Sequence, residues 1–569
     1  MQTLSRWQAR LGTRFGHFTA GQWCLLLLVP ALLYLVNLGG ARVLTDHEVY
    51  QAAVAKQMTL DHEWILLRIG DQFWLEKPPL PHWLEVASAT CLGGFTEFTV
   101  RLPFALAGIA AALLVAQLMA DLFGPRIGFL SGLVQASSVY VVRHARLAES
   151  DILLQLIVLG AIFAFARLVL FADRMSGRSQ FTLRMTFWVC IGLMNLVKGP
   201  LFGTVLTMLS CGGWLLLSGR TSKLRDFVSP LGMFVALAIA ASWPVAVILS
   251  EPGAVELWQQ HLFGRAATGI GFGKPYWYYL TTWPEQLLPW TAFLLIGAVP
   301  SLRRAWQEPL SPDRFVWGWL LGQTALLSLS NGKHHHYLMH ALPAMSAVIA
   351  MGLLRTEEVI RQQIWPVKHW RRSLLIVGVT APIAGVVAAV LEEKYRIDII
   401  CLTTVVTAGS FVTAAYVMRA RPRAAFVSGF VAIMIAQLYI QVAVMPRRDP
   451  SADDRAFLFA VQRDLDPGAR LFACGGRLVG RHLFYLQRQV QGVWFHEDLA
   501  RHVSRNDTFY VITRAKDRNA LSDYGEVSLV TQSRHTRRET SPEDRFTLFR
   551  VTSAEASTRV ADGAASARR

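Results

Sequence analysis

Charged residues stand where several long apolar runs of this sequence end, and their types suit acid–base chemistry. Asp46 follows the first apolar run by a few residues, Glu48 comes shortly after it, and Asp151 opens a later run. A carboxylate in such a place could remove a proton from a nucleophile, while nearby cations stabilise a leaving anion. The candidate cations are Lys77, Arg143, Arg146, Lys198 and Lys333. Gathered on one face of a membrane, these groups would suit a lipid substrate that carries phosphate.

Two of these groups have a simpler structural alternative. Asp46 could serve as the N-cap of an amphipathic run that begins at Glu48, since N-cap positions favour Asp. In the segment 143–151, Arg143 and Arg146 could bind phosphate oxygens through the guanidinium fork, or pair with Asp151 and fix a short turn. Both alternatives stay open on the sequence alone.

Two lysines lie in apolar surroundings, where an ammonium group needs a partner or a wet cavity. Lys198 is followed by Gly199-Pro200, and the glycine permits close approach of a backbone or a ligand. Lys333 precedes three adjacent histidines, which could suggest a metal. Consecutive residues of a helix point in different directions, however, so the triplet is not expected to converge on one ion.

The apolar runs themselves predict an all-α polytopic membrane protein. Hydrophobic residues make up 53% of the 569-residue chain and charged residues only 17%, below the quarter or so that is usual in soluble domains. A bilayer core needs about 20 apolar residues per helix, and the sequence offers about 13 such segments. They lie at 22–40, 102–122, 126–142, 152–172, 183–197, 200–218, 228–249, 286–302, 314–330, 337–354, 373–392, 398–418 and 423–444.

The distribution of charge predicts one orientation. The net charge is +17, but most basic residues stand at helix ends in alternate loops, which is typical of cytoplasmic loops and argues against a nucleic-acid binder. The N-terminus is therefore expected in the cytoplasm, with the first apolar run kept as an anchor and not cleaved as a signal peptide. The six cysteines are far apart, so neither a disulfide framework nor a zinc cluster is predicted.

Composition divides the chain into a membrane domain and a soluble domain. Residues 1–445 form the membrane part, with extracytoplasmic loops at 41–100 and 250–285. The first loop is expected to carry helices along the membrane surface. Strand-like runs at 469–473, 508–512 and 527–530, with a helix-like stretch between the first two, predict a small α/β domain over 446–552 outside the cytoplasm. Residues 553–569, rich in Ala, Ser and Arg, are predicted to be disordered.

Taken in order, these motifs resemble one family of membrane proteins. The set comprises Asp46 ahead of an amphipathic helix, Glu76-Lys77-Pro78-Pro79-Leu80, Arg146-x-x-x-x-Asp151, Lys198-Gly199-Pro200, Tyr276-Trp277-Tyr278-Tyr279 with Pro289-Trp290, and Lys333 to Tyr337 followed by Leu342-Pro343. Their order and spacing resemble the bacterial lipid A aminoarabinose transferases, which are similar to protein O-mannosyltransferases. The resemblance covers most of residues 40–350.

The resemblance implies a GT-C fold and an inverting glycosyltransferase. Such an enzyme moves a sugar from a polyprenyl-phosphate donor to a lipid or other envelope acceptor at the outer face of the bacterial inner membrane. Asp46 falls on the family's essential first-loop aspartate. Lys77, Arg265 and Tyr337 fall near positions linked to the lipid phosphate. Glu76 and His261 fall near positions where a relative holds a divalent metal, the one cofactor that the resemblance suggests.

The sugar and the acceptor stay open. The family's first loop usually shows Asp-Glu with an Arg shortly after, whereas this sequence reads Asp46-His47-Glu48-Val49-Tyr50. A transporter or flippase for lipid-linked sugars is the alternative, since that class also has many helices and buried charges. Transporters commonly show inverted repeats and interrupted helices near the midplane. The sequence shows no internal repeat, so the transferase is the prediction.

Overall fold

The structure, a computed structural model, describes residues 18–259, 274–330, 332–364, 366–392, 395–449, 452–466, 468–475, 479–487, 490–503, 508–534 and 541–552. The described chain is mainly helical. Its helices are α1 Ala20–Leu35, α2 Asp46–Asp61, α3 Leu80–Cys91, α4 Glu97–Phe123, α5 Pro125–Ser137, α6 Val139–Ala145, α7 Ser150–Phe171, α8 Gly177–Lys198, α9 Phe202–Leu217, α10 Pro230–Ser250, α11 Tyr278–Gln286, α12 Thr291–Gln307, α13 Pro312–Leu329, α14 Leu342–Gln362, α15 Pro366–Leu391, α16 Arg396–Met418, α17 Pro422–Tyr439, α18 Met445–Arg447, α19 Ala452–Asp464, α20 Val479–Tyr485 and α21 Arg518–Leu521. The strands are β1 Arg68–Ile69, β2 Gln72–Phe73, β3 Leu471–Cys474, β4 Gln491–Val493, β5 Thr508–Arg514, β6 Glu526–Gln532 and β7 Phe546–Thr552.

The predicted membrane architecture is confirmed, because every predicted apolar segment falls on helical structure. Eight described helices are long and apolar enough to cross a membrane, and α1 and α9 are shorter apolar helices. The eight are Glu97–Phe123, Ser150–Arg174, Gly177–Lys198, Pro230–Ser250, His335–Gln362, Val367–Leu391, Arg396–Met418 and Pro422–Arg447. The chain is therefore a multi-pass membrane protein, while the number of 13 crossings stays a prediction.

The chain folds as two compact units, of which unit one holds Met1–Leu38, Leu102–Val245 and Gln259–Val444. Small residues let its helices pack closely. A Cβ atom added at Gly297 would lie 2.0 Å from the carbonyl oxygen of Val348, and one at Gly352 would lie 2.0 Å from that of Phe293. The backbones of α12 and α14 are therefore in contact, a packing mode common between membrane helices.

Buried polar side chains tie further helices of unit one together. Gln135 of α5 donates to Gln155 of α7 at 3.2 Å and accepts from Ser346 of α14 at 3.2 Å. Arg304 of α12 pairs with the buried Asp313 of α13 at 2.9 Å. Buried polar groups with partners of this kind favour one packing arrangement over its alternatives.

Unit two holds Gly39–Arg101, Ala246–Trp258 and Met445–Arg569. Its larger sheet has the strand order β4-β3-β5-β7-β6, with β3 parallel to β4 and β5, and β7 antiparallel to β5 and β6. The predicted α/β region is confirmed, with strands near all three predicted runs and α20 between the first two. Sequence reasoning missed β4 and β7. The predicted disordered tail, 553–569, lies outside the described residues.

The first loop contributes two helices to unit two. Thr45 caps α2: its side chain accepts from the Glu48 backbone N–H, and the Glu48 carboxylate accepts from the Thr45 N–H at 2.9 Å. Such a capping box satisfies two N–H groups that a helix start leaves without partners. The last helix of the loop, α3, follows Pro79 directly and buries its Glu85 face. Helices are therefore present in this loop, and their position along the membrane surface stays a prediction.

Candidate functional site

Asp46 occupies the first helical position of α2, not the cap. The alternative of Asp46 as N-cap is wrong, because Thr45 holds that position. The Asp46 side chain is 63% exposed, and its Oδ1 accepts from Nη2 of Arg481 at 2.8 Å. A carboxylate in this position, exposed and with Arg481 among its contacts, can meet a substrate from solvent. The catalytic role predicted for Asp46 stays a prediction.

Glu48 is fully buried, and its contacts are structural. Besides closing the capping box, its carboxylate accepts from Nε of Arg101 at 2.7 Å and from Nη2 at 3.2 Å. Burial alone would raise the pKa of Glu48, but the charge and hydrogen bonds of Arg101 outweigh it and hold that pKa below its ordinary value of 4.5. These contacts support an anchoring role for Glu48, and its predicted catalytic role stays a prediction.

The Glu76-Lys77 motif lies half-buried just before α3. The neighbouring Leu75 carbonyl accepts from Nε1 of Trp258 at 2.9 Å, a contact that helps fix the segment. Behind the motif, Gln51 donates to the buried Glu85 at 2.8 Å, and its carbonyl contacts Nδ1 of His82 at 3.0 Å. This cluster of Gln51, His82 and Glu85 is shut off from solvent.

Burial sets the protonation of the cluster. It raises the pKa of Glu85 well above its usual range, and it lowers the pKa of His82 to about 3. The charge of Lys77 acts on both groups. His82 is therefore a neutral imidazole at neutral pH, and burial favours the neutral form of Glu85, so the positive charge beside the cluster comes from Lys77.

Asp151 and Lys198 form an ion pair in unit one. Asp151 is in the first turn of α7 and Lys198 is the last residue of α8, and Nζ of Lys198 donates to Oδ1 of Asp151. The side chains are only 9% and 20% exposed. The helix stops there because Gly199 has φ 91°, a conformation that glycine adopts without strain. Lys198 was expected to have either a partner or a wet cavity, and Asp151 is a partner.

Two aromatic rings also lie near Lys198. Its Nζ lies 4.6 Å from the ring centroid of Tyr337 and 5.2 Å from that of Phe202. Lys333, buried at 3% exposure, donates through Nζ to the Ser330 carbonyl at 2.6 Å. Of the predicted phosphate residues, Lys198 and Tyr337 are thus brought together.

The two predicted arginines of the 143–151 turn differ in their surroundings. Arg143 is exposed. Arg146 is buried and donates from Nη1 to the carbonyls of Leu33, Tyr34 and Val36 at 2.8–3.0 Å, which caps the end of α1. The alternative of an Arg–Asp pair fixing the turn is wrong for Asp151, which pairs with Lys198. The phosphate contacts predicted for Arg143 and Arg146 stay predictions, and the contacts of Arg146 support a structural role.

Two predicted site residues lie in the loop 250–285: His261, a predicted metal ligand, and Arg265, a predicted phosphate contact. Both lie outside the described residues. Among the described residues, no group of three or more His, Cys, Asp or Glu side chains is arranged to hold a metal ion. Glu76 lies among them. The metal site predicted for Glu76 and His261 stays a prediction.

Sequence reasoning missed Arg481, Arg101 and Glu85. Arg101 gave a signal, since it is a charge at the edge of an apolar helix, where a buried partner is required. Glu85 stands nine positions after Glu76 with nothing to mark it. Arg481 is separated from Asp46 by 435 positions, and no periodicity could have paired them.

The chain is similar to known glycosyltransferases in sequence. Residues 76–245 match the family described as dolichyl-phosphate-mannose-protein mannosyltransferase. An undecaprenyl phosphate-alpha-4-amino-4-deoxy-L-arabinose arabinosyl transferase from Pectobacterium atrosepticum is 27% identical over 357 residues, which cover 61% of this chain and 61% of the relative. The namesake from Aeromonas salmonicida is 26% identical over 361 residues, 62% of this chain and 63% of the relative. The match therefore spans about three fifths of these relatives.

Solved structures extend the similarity to nearly the whole chain. ArnT from Cupriavidus metallidurans in its apo state has a TM-score of 0.72 at 17% identity, covering 93% of this chain and 98% of ArnT. The same ArnT bound to undecaprenyl phosphate has a TM-score of 0.72 at 18% identity, covering 94% and 98%. The chain thus has the ArnT fold and resembles the aminoarabinose transferase-like, GT-C type membrane glycosyltransferases, as its motifs predict.

Proposed function

We propose that this protein is a membrane glycosyltransferase that moves a sugar from a polyprenyl-phosphate donor to an envelope acceptor. The observation that carries the proposal is the surroundings of Lys198. Two residues predicted separately to bind the lipid phosphate, Lys198 and Tyr337, lie 4.6 Å apart, measured from Nζ to the ring centroid. The relatives that the chain matches are named for transfer from undecaprenyl phosphate.

The ion pair explains how a cation is kept ready for phosphate at this depth. An unpaired ammonium among apolar helices is costly, and Asp151 offsets that cost. The lysine still has 20% of its side chain exposed, against 9% for the aspartate. A phosphate that reaches Lys198 is then the second anionic group, after Asp151, to contact an ammonium that is already ordered.

The chemical step is a displacement at the anomeric carbon. The acceptor hydroxyl oxygen forms a bond to that carbon, while the bond from carbon to the phosphate oxygen breaks and the electron pair leaves with polyprenyl phosphate. The hydroxyl proton passes to the Asp46 carboxylate, whose side chain is 63% exposed. Lys77, Lys198, Lys333 and Arg265 are the cations proposed to stabilise the leaving phosphate.

The relatives guide the choice of substrates. Their names specify a 4-amino-4-deoxy-L-arabinose, so a pentose is the first sugar to try, with hexoses next. The acceptor is a lipid, lipid A-like, or another envelope glycan, and transfer occurs at the outer face of the bacterial inner membrane. The N-terminus is then cytoplasmic and the C-terminal region periplasmic. No observation favours the alternative of a transporter or flippase.

The test is release of free polyprenyl phosphate by the purified full-length protein in detergent. A panel of polyprenyl-phosphate sugars is offered with mixed envelope acceptors to wild type, Asp46→Asn and a matched control, Asp61→Asn. Asp61 ends the same helix at its other terminus. We expect turnover by wild type and the control, and a loss of about a hundredfold or more in Asp46→Asn, as for removal of a general base. Equal turnover by Asp46→Asn would move the base elsewhere, with Asp151 next to test.

A further inference from the structure

One arginine of the C-terminal region joins two carboxylates from distant parts of the chain. Arg481 of α20 donates from Nη2 to Oδ1 of Asp46 at 2.8 Å, and from Nη1 to Oδ2 of Asp454 on α19. The side chains of Arg481 and Asp454 are only 8% and 9% exposed, whereas that of Asp46 is 63% exposed. The guanidinium is therefore fixed on its buried side and presents its other nitrogen to an exposed acid.

The backbone around Arg481 is held against the segment that carries Asp46. A Cβ atom added at Gly480 would lie 3.3 Å from side-chain atoms of Val49 and Tyr50, so α20 and α2 pack closely there. The phenol oxygen of Tyr485, at the end of α20, accepts from the Leu44 backbone N–H at 2.9 Å. The contact between Arg481 and Asp46 is thus part of a wider docking of the two helices.

The second half of α2 also contacts the region of α20. Nζ of Lys56 donates to the carbonyls of Leu483, Phe484 and Leu486 at 2.7–2.9 Å. A cation on the last carbonyls of a helix is favourable because those groups lack helical partners and carry partial negative charge. Both halves of α2 therefore make polar contacts with α20 or the residue that follows it.

We propose that Arg481 is a positioning residue for Asp46, which it holds in the orientation that proton removal requires. The proposal rests on the proposed function, in which Asp46 takes the acceptor proton. A planar guanidinium fixes a carboxylate in one direction better than a flexible ammonium does. The C-terminal region then contributes to catalysis through one side chain, although that side chain need not contact the substrate.

A purely structural role makes a different prediction. In that case Arg481 would serve only to neutralise the buried Asp454, and removing both charges together would restore function. If Arg481 orients Asp46, the paired substitution restores the fold but leaves the rate low. The paired variant Arg481→Gln/Asp454→Asn separates the two roles, since it leaves no unpaired buried charge.

The experiment measures kcat, KM for the donor and thermal stability of the full-length protein in detergent. The variants are Arg481→Gln, Arg481→Lys, the paired variant and a control, Arg455→Gln. Arg455 pairs with Glu97 at 2.8 Å and also comes from the C-terminal region. We expect the paired variant to keep wild-type stability and KM within about threefold while kcat falls about tenfold or more, as for misplacement of a catalytic group. Arg481→Lys should recover part of the loss, and Arg455→Gln should keep its kcat.

Two results would overturn the proposal, and they differ from a failure of the proposed function. Wild-type kcat in the paired variant would show that Arg481 serves only to neutralise the buried Asp454. Full activity of Asp46→Asn would show that Asp46 is not the base, so Arg481 would have no catalytic group to position. The transferase activity itself would still be established. Absence of turnover by wild type with every donor would reject the proposed function, and this inference with it.

Discussion

The ammonium nitrogen of Lys198 lies 4.6 Å from the centre of the Tyr337 ring. A cation at this distance from an aromatic face is held by about 0.5–2 kcal/mol, depending on its hydration. If the ring fixes Lys198 for phosphate, Tyr337→Phe should bind polyprenyl phosphate nearly as well as wild type. Tyr337→Leu should bind it several-fold more weakly, as measured by quenching of a fluorescent polyprenyl phosphate in detergent. Equal losses in both variants would assign the contribution to the phenol hydroxyl.

Removing one partner of the Asp151–Lys198 pair should reduce both stability and binding. Lys198→Gln leaves a buried carboxylate without its cation, which costs about 3–5 kcal/mol in comparable pairs. Lys198→Gln/Asp151→Asn should recover the melting temperature but not the affinity for polyprenyl phosphate. Lys223→Gln is the control, since Lys223 pairs with Asp226 where both are more than a third exposed. Wild-type affinity in the double variant would contradict a phosphate role for Lys198.

The buried pair of Glu48 and Arg101 should stabilise the first loop. Their side chains are 0% and 1% exposed, so Arg101→Gln should lower the free energy of unfolding by about 3–5 kcal/mol. The exposed pair of Arg463 and Asp464, at 77% and 61%, provides the control. Asp464→Asn should leave the stability nearly unchanged, because solvent screens an exposed ion pair. Thermal unfolding in detergent measures the stability of both variants. Equally small effects would show that the Glu48–Arg101 pair is not needed for stability.

Glu85 should make stability depend on pH. Burial raises the pKa of Glu85 in the folded protein. The contribution of Glu85 to the free energy of unfolding is therefore fully present below its pKa in the unfolded chain, and it is lost as the pH rises through its pKa in the folded protein. Glu85→Gln stays neutral at every pH. The difference in melting temperature, variant minus wild type, should therefore grow as the pH rises above the unfolded pKa of Glu, about 4.3. The same substitution at the exposed Glu526 is the control, and a pH-independent difference at Glu85 would contradict the buried neutral acid.

The close contact of α12 and α14 should not tolerate a side chain. At Gly297 an added Cβ atom would lie 2.0 Å from the Val348 carbonyl oxygen, so Gly297→Ala forces the helices apart. We expect a loss of about 1–3 kcal/mol, typical of overpacking. Gly212→Ala in α9 is the matched control, because an added Cβ there meets no atom within 4 Å. Melting curves that coincide for the two variants would rule out close packing at Gly297.

Much of the fold could be predicted from the sequence, because apolar runs and turn residues are local signals. The helix that ends at Lys198 is an example, since Gly199-Pro200 marks its end directly. The strands β4 and β7 were missed because one is only three residues long and the other pairs with a strand of the same region. A three-residue strand such as β4 is too short to show a periodicity of its own.

The candidate site was predictable only in part. The residues that follow a motif order, such as Asp46, Lys77 and Lys198, could be named without a structure. Their partners could not, since the Arg481–Asp46 contact joins positions 435 residues apart. Residue type alone makes Asp46 and Glu48 equal candidates for the catalytic carboxylate. Their burial distinguishes them, because Asp46 is exposed whereas Glu48, two positions on, is fully buried.

A transferase of the proposed kind must separate the sugar from the polyprenyl phosphate. The most direct measurement reconstitutes the protein in vesicles with a donor labelled in both sugar and lipid, together with an outer-face acceptor. The transferase account predicts one free polyprenyl phosphate for each sugar that appears on the acceptor, and a loss of both products by about a hundredfold or more with Asp46→Asn. Movement of the doubly labelled donor across the bilayer, with its sugar still attached, would contradict the account and establish a transporter.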